Sequence, residues 1–120
     1  MKLELLPFDF NVCRLADSGD IDFNKAFTFY AKTEREISYV CPKEEMPENV
    51  IAVEKDWRCL RVDGILDFSL IGILAKIAAV LAAKEISIFV VSTYDTDYIF
   101  VKTAQLEAAV AALKENGYEI

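Results

Sequence analysis

The chain has no histidine. That removes the commonest general base, the commonest metal ligand and every Ser/His or Cys/His catalytic arrangement. Cysteine is scarce: Cys13, Cys41 and Cys59 are odd in number, widely spaced and form no CxxC pair. Four N/S ligands for a structural zinc cannot be assembled from that set. Each cysteine has a large apolar neighbour (Val12, Val40 and Leu60), which predicts buried, reduced thiols. Long apolar runs are missing too. The most apolar stretch, residues 70–83, is broken by Lys76 and falls short of the roughly 20 residues that span a bilayer. Met1–Pro7 lacks the apolar segment of a secretory leader, so the expected compartment is the cytoplasm. Basic residues are outnumbered, 13 against 20 acidic, for a net charge of -7. Phosphate backbones and anionic membranes are recognised mainly by Lys and Arg, so neither nucleic acid nor membrane is an expected partner. No Gly-rich phosphate loop, GxSxG or paired metal-ligand motif is present; no enzyme, no cofactor and no metal are expected.

What is present is a globular composition: 120 residues, 54% hydrophobic and 28% charged, too apolar for disorder. The second half is the more regular. Trp57–Val62 reads as a strand ending at Asp63-Gly64. Leu70, Ile73, Leu74, Ile77 and Leu81 follow the three-and-four spacing of an amphipathic helix, capped by Asp67 or Ser69. Ile86–Thr93 and Tyr98–Lys102 are apolar strands joined by Tyr94-Asp95-Thr96-Asp97, which has turn chemistry. Thr103 is placed to cap a second helix through Leu106, Ala109, Val110 and Leu113, ended by Gly117, with a short last strand at Tyr118–Ile120. The order β-α-β-β-α-β defines an α+β, ferredoxin-like plan. The first half predicts short strands at Lys2–Leu6, Phe10–Leu15, Lys25–Ala31 and Ile37–Cys41, one helical turn at Thr33–Glu36 and a linker at Lys43–Asn49.

Three segments carry a resemblance: Trp57-Arg58-Cys59-Leu60-Arg61-Val62-Asp63-Gly64, then Leu66–Leu74, then Ile86-Ser87-Ile88-Phe89-Val90-Val91-Ser92-Thr93-Tyr94-Asp95-Thr96-Asp97-Tyr98. Together with Leu-Leu-Pro, Val-Cys-Arg-Leu and Tyr-Val-Cys-Pro in the first half, they resemble small bacterial ACT-domain proteins related to the CASTOR amino-acid sensors. The resemblance implies a degenerate, β-rich ACT-like module over residues 1–50 and an ACT domain over residues 51–120. It also implies a regulatory protein that binds an amino acid at the seam between paired modules. The implied ligand residues are Asp67 and Leu70 in the helix-opening loop, Ser87 and Ile88 at the start of a neighbouring strand, and Thr93, Tyr94 and Asp97 around the turn. Related sensors often carry four modules and this chain has length for two, so a complete paired site implies a homodimer.

The chemistry is consistent with that assignment. A free amino acid presents a carboxylate and an ammonium; a helix start near Leu70 offers unpaired amides to the first, and Asp97 or Asp67 a carboxylate to the second. The same aspartates also suit plain turn geometry, and Tyr94 and Tyr98 suit hairpin packing better than acid catalysis. The alternative reading is a ligand-free dimerisation module with a vestigial pocket.

Overall fold

The computed structural model describes residues 1–64 and 71–120. The cap at Asp67 or Ser69 and the Leu70 end of the first helix lie outside them. Among the described residues seven strands and two α-helices follow one another: β1 Leu3–Leu5, β2 Phe10–Leu15, β3 Phe29–Lys32, β4 Ile37–Pro42, β5 Val50–Val62, α1 Ile73–Ala83, β6 Ile88–Ser92, β7 Asp97–Lys102 and α2 Leu106–Glu115. They form two compact units, Met1–Pro7 with Arg58–Ile120, and Phe8–Trp57. The boundary expected at residues 50 and 51 falls at the start of β5, whereas these units divide at Pro7 and Trp57.

In the unit containing both helices, β7 lies between β5 and β6, and β1 pairs with β5. Alternation sends Leu3, Leu60, Val62, Ile99 and Val101 to one face, where Ile77 and Leu81 of α1 and Ala109 and Leu113 of α2 cover them. The β6–β7 hairpin runs in the register Ile88↔Val101 to Ser92↔Asp97, matching the two strands expected there. The expected last strand is a single parallel bridge, Lys2↔Glu119, held by Leu3 N–H to Glu119 O at 2.7 Å and Glu119 N–H to Met1 O at 3.0 Å. The arrangement is the α+β, ferredoxin-like plan of the sequence reading.

Two helix starts differ from expectation. Helix α1 opens at Ile73 on Gly72, whose φ of 79° is left-handed and which has no side chain to cap with. Before α2, Thr103 makes no side-chain cap; residues Thr103–Gln105 form a 3-10 turn instead, which tightens the entry and satisfies early donors locally.

The unit Phe8–Trp57 is antiparallel, in the order β3-β4-β2 with the first part of β5 beside β2. Cys13, Leu15, Tyr39 and Cys41 form its core, with Ile21, Ile37, Val50 and Val53 against them. Three expectations are corrected here. Strand β3 starts at Phe29 rather than Lys25, because Phe27 takes a φ of 59° and turn bonds occupy the preceding residues (Lys25 N–H to Asp22 O at 3.3 Å). Thr33–Glu36 is a hairpin turn, closed by Thr33 N–H to Glu36 O at 3.0 Å, with the Thr33 hydroxyl accepting from Arg35 N–H at 3.1 Å; the side-chain bond outcompetes helix. Strand β5 begins at Val50, seven residues before Trp57. The exposed Glu54-Lys55-Asp56 hides it, and a bulge accommodates it: Phe10 pairs Trp57 but Val12 pairs Glu54, the extra residue being absorbed where Asp56 has a φ of 67°. The expected linker holds a 3-10 turn, Lys43–Glu45.

Candidate functional site

The chain reverses direction at each element, so the ends of the ferredoxin-like unit are chemically distinct. Strand β5 ends at Val62, α1 begins at Ile73, and the β6–β7 turn joins Ser92 to Asp97, all at one end. A direct bond ties this end together: the Thr96 hydroxyl, on a buried residue, donates to Val62 O at 2.9 Å. The turn itself is closed by Thr93 N–H to Thr96 O at 2.9 Å and by the Thr93 hydroxyl donating to the same carbonyl at 3.1 Å. Thr93 is therefore turn chemistry in a single chain. Tyr94 stands at the tip, 82% exposed.

Asp97 is half-buried and accepts the Ser92 hydroxyl at 2.6 Å. It shares its strand face with Ile99 and Val101, whose side chains pack on the helices, so it sits on the helix-bearing side of the sheet. On that side α1 opens at Ile73 behind Gly72, which has no side chain to cap with, and a helix start presents amide donors and the positive end of the helix dipole. Asp67 and Leu70 lie outside the described residues. Ser87 and Ile88 are elsewhere: Ile88 pairs Val101 while Ser92 pairs Asp97, so four residues of strand, about 14 Å, separate them. A single chain gathers Thr93, Tyr94 and Asp97 at one end and keeps Ser87 and Ile88 at the other.

The opposite, helix-free side of the same end carries residues that the sequence reading did not assign. Glu4 lies across from Arg61 in the β1–β5 pairing, and Arg61 Nη2 reaches Glu4 Oε2 at 3.1 Å. The Arg61 guanidinium carbon is 5.9 Å from the centre of the Tyr98 ring, within cation–π range. Hydrogen bonds to the Tyr98 hydroxyl and then to Glu4 push the Arg61 pKa further up, with burial opposing weakly. A cavity of about 190 Å³ opens here, lined by Glu4, Arg61, Gly64, Asp95, Thr96 and Tyr98. The available signal was Arg61 itself, a cation between the buried Leu60 and Val62; its partner Glu4, 57 positions away, was not legible. Among the described residues no cluster of three or more His, Cys, Asp or Glu is placed to hold a metal, and no helix is long and apolar enough to cross a membrane.

An α+β unit with two helices on one sheet face is a ferredoxin-like fold, and comparison with known proteins places the chain more closely. Residues 52–115 match the ACT domain family model; the chain belongs to the ACT domain family. No curated protein matches it in sequence. Among solved structures, protein Atu0741 from Agobacterium tumefaciens is 30% identical with a TM-score of 0.86, over 98% of this chain and 90% of that one. VC0802 from Vibrio cholerae, described as a protein of unknown function and possible transport protein, is 23% identical with a TM-score of 0.71, over 92% and 85%. The regulatory subunit of aspartate kinase from Thermus thermophilus shares the fold at 11% identity and a TM-score of 0.64, over 94% and 95%.

Proposed function

We propose that the protein is a non-catalytic, amino-acid-binding regulatory ACT protein of the cytoplasm, related to the CASTOR sensors and working as a homodimer. In this reading residues 1–50 are a degenerate first module and residues 51–120 the ACT domain. The observation that carries it is the placement of Asp97: half-buried, on the helix-bearing side, at the end where α1 opens behind Gly72. An ammonium at Asp97 and a carboxylate at the helix amides would each meet the opposite sign of charge. The separation of Ser87 and Ile88 from Asp97 supports a shared site, with one copy supplying the turn and the other the strand start.

A thermal-shift screen over the proteinogenic amino acids tests this, because a ligand of the folded state raises the midpoint with its concentration. For the amino acid that binds, Asp97→Asn is expected to weaken affinity by about one to two orders of magnitude. Asp95→Asn, in the same turn, should do little, and calorimetry on both variants checks the contrast. Absence of any stabilising amino acid would favour the ligand-free dimerisation module.

A further inference from the structure

The unit Phe8–Trp57 carries a sheet edge of its own. Strand β3 stands at the end of the strand order, and among the described residues only β4 pairs with it. The register tells which backbone groups face outward. Thr33 N–H bonds Glu36 O at 3.0 Å, so that pair belongs to the hydrogen-bonded set. Bonded and non-bonded pairs alternate along an antiparallel ladder. Ala31 with Ser38 is therefore a bonded pair, whereas Tyr30 and Lys32 turn their N–H and C=O groups away from β4, to the open side.

The face beside this edge is aromatic and acidic. Tyr30 lies directly opposite Tyr39, and opposite residues point to the same side of a sheet. Tyr30 is 39% exposed and Phe23 68%, with their ring centres 5.8 Å apart. The buried Tyr39 lines a cavity of about 340 Å³ together with Asp20, Asp22, Lys25, Glu44, Glu45 and Glu48. The cations are outnumbered there, and Lys25 already lies 4.0 Å from Glu45. Glu44 and Glu45 follow the end of β4 that pairs with Phe29, so the negative charge lies past the Phe29 end of β3. At the other end Lys32 and Arg35 balance Glu34 and Glu36.

These features select an occupant. A second copy carries its own net charge of -7 and has no excess of cations to answer the carboxylates. A strand of 4 residues with an exposed lysine is also a poor edge for self-pairing. An extended segment with Lys or Arg at one end meets every feature: backbone on Tyr30 and Lys32, a side chain over the Phe23 and Tyr30 rings, and cations among the carboxylates.

We propose that the β3 edge, with Phe23, Tyr30 and the carboxylates around Tyr39, is a docking surface for an extended basic segment of a partner protein, which adds to the sheet as a further strand. This goes beyond the amino-acid reading and does not rest on it.

Amide chemical-shift mapping of the full chain tests it, with a synthetic peptide that alternates Val and Thr over roughly 6 residues, a typical strand length, and ends in Arg-Arg. Two comparison peptides carry Glu-Glu in place of Arg-Arg, or Pro at the centre, which removes a ladder donor. The expected result is perturbation centred on Phe23, Tyr30, Lys32, Glu44 and Glu45, with affinity falling as salt rises and about tenfold weaker for either comparison peptide. Lys32→Pro removes an outward N–H and leaves the ladder to β4 intact, and should weaken binding by about tenfold. Asp20→Asn combined with Glu48→Gln, both at exposed positions, alters no backbone; it should weaken binding by about threefold or more and flatten the salt dependence, so the charge arm stands even where Lys32→Pro unfolds. Equal binding of the Glu-Glu peptide, perturbation at Ile88–Ser92 in place of β3, or no perturbation by the Arg-Arg peptide would each overturn the proposal. So would a paired native mass that reverts to the single-chain mass in Lys32→Pro, which assigns the edge to a second copy.

Discussion

Cys59 lies in β5 with no accessible surface, and its chemistry follows from that position. Burial pushes its thiol up to about 12, with the charge of Arg61 pulling weakly the other way. The hydrogen-bonding contact with Cys13, and then burial, push Cys41 up as well. Cys13 is pulled the other way by its contact with Cys41, but all three cysteines are free and buried; burial denies a reagent access, so they should resist alkylation in the native protein and react only on unfolding, which mass spectrometry after native labelling checks. The pH dependence has a definite sign. Above pH 9.0 an unfolded Cys59 loses its proton, while the folded one keeps it to about 12. The unfolded state then binds fewer protons, and stability falls as pH rises across that window, by about 4 kcal/mol at its upper end for this group. Urea unfolding at stepped pH should show a shallower decline in Cys59→Ala than in the wild type. The burial was legible from apolar neighbours. The contact between Cys13 and Cys41 was not, because strand register brings them together from positions 28 apart in the chain.

At the scale of elements, the two helices end in the same way with different residues. In α1, Glu85 N–H bonds Ala82 O at 2.9 Å and Ile86 N–H bonds Leu81 O at 3.0 Å. In α2, Gly117 N–H bonds Lys114 O and Tyr118 N–H bonds Leu113 O, both at 3.1 Å. Both are paired 5→2 and 6→1 closures whose third-from-last and following residues, Leu81 with Ile86 and Leu113 with Tyr118, belong to one core. The hinge residue is left-handed in each, Glu85 at 58° and Gly117 at 90°. A Cβ costs about 1 kcal/mol there. Glu85→Gly should therefore stabilise the protein by about 1 kcal/mol, and Gly117→Ala should destabilise it by a similar amount. Chemical denaturation of the two variants checks the opposed signs. The second closure was legible because glycine announces it. The first was not, because glutamate gives no local signal, and the core contact between Leu81 and Ile86 imposes the conformation.

For the whole molecule, association is the property that the proposed function requires. Strand β6 ends the strand order, and its residues Ile88–Val91 are apolar and only half-buried. An apolar edge of this kind favours pairing with another copy, and closed two-fold symmetry satisfies both edges at once. Native mass spectrometry is expected to give twice 13.5 kDa, falling to the single-chain mass on dilution. A single-chain mass at high concentration would count against the shared site.

The sequence by itself determined the local elements of the second half. Helix and hairpin periodicities repeat over a few residues, so a helix through Ile73, Leu74, Ile77 and Leu81, the β6–β7 hairpin and the Gly117 stop were readable from spacing, as was the ferredoxin-like class they build, though not the start of α1 at Ile73. Only the tertiary structure decided the long-range pairings. Strand β5 runs through a charged, exposed stretch and a bulge at Asp56, where alternation fails and partner strands hold the backbone extended. Met1–Pro7 joins the unit formed by Arg58–Ile120 rather than the residues that follow it, because β1 finds its hydrogen-bond ladder on β5. The Glu4–Arg61–Tyr98 cluster exists for the same reason. Strand pairing is a contact between distant positions, and no local pattern of residue types encodes which distant strand will complete a sheet.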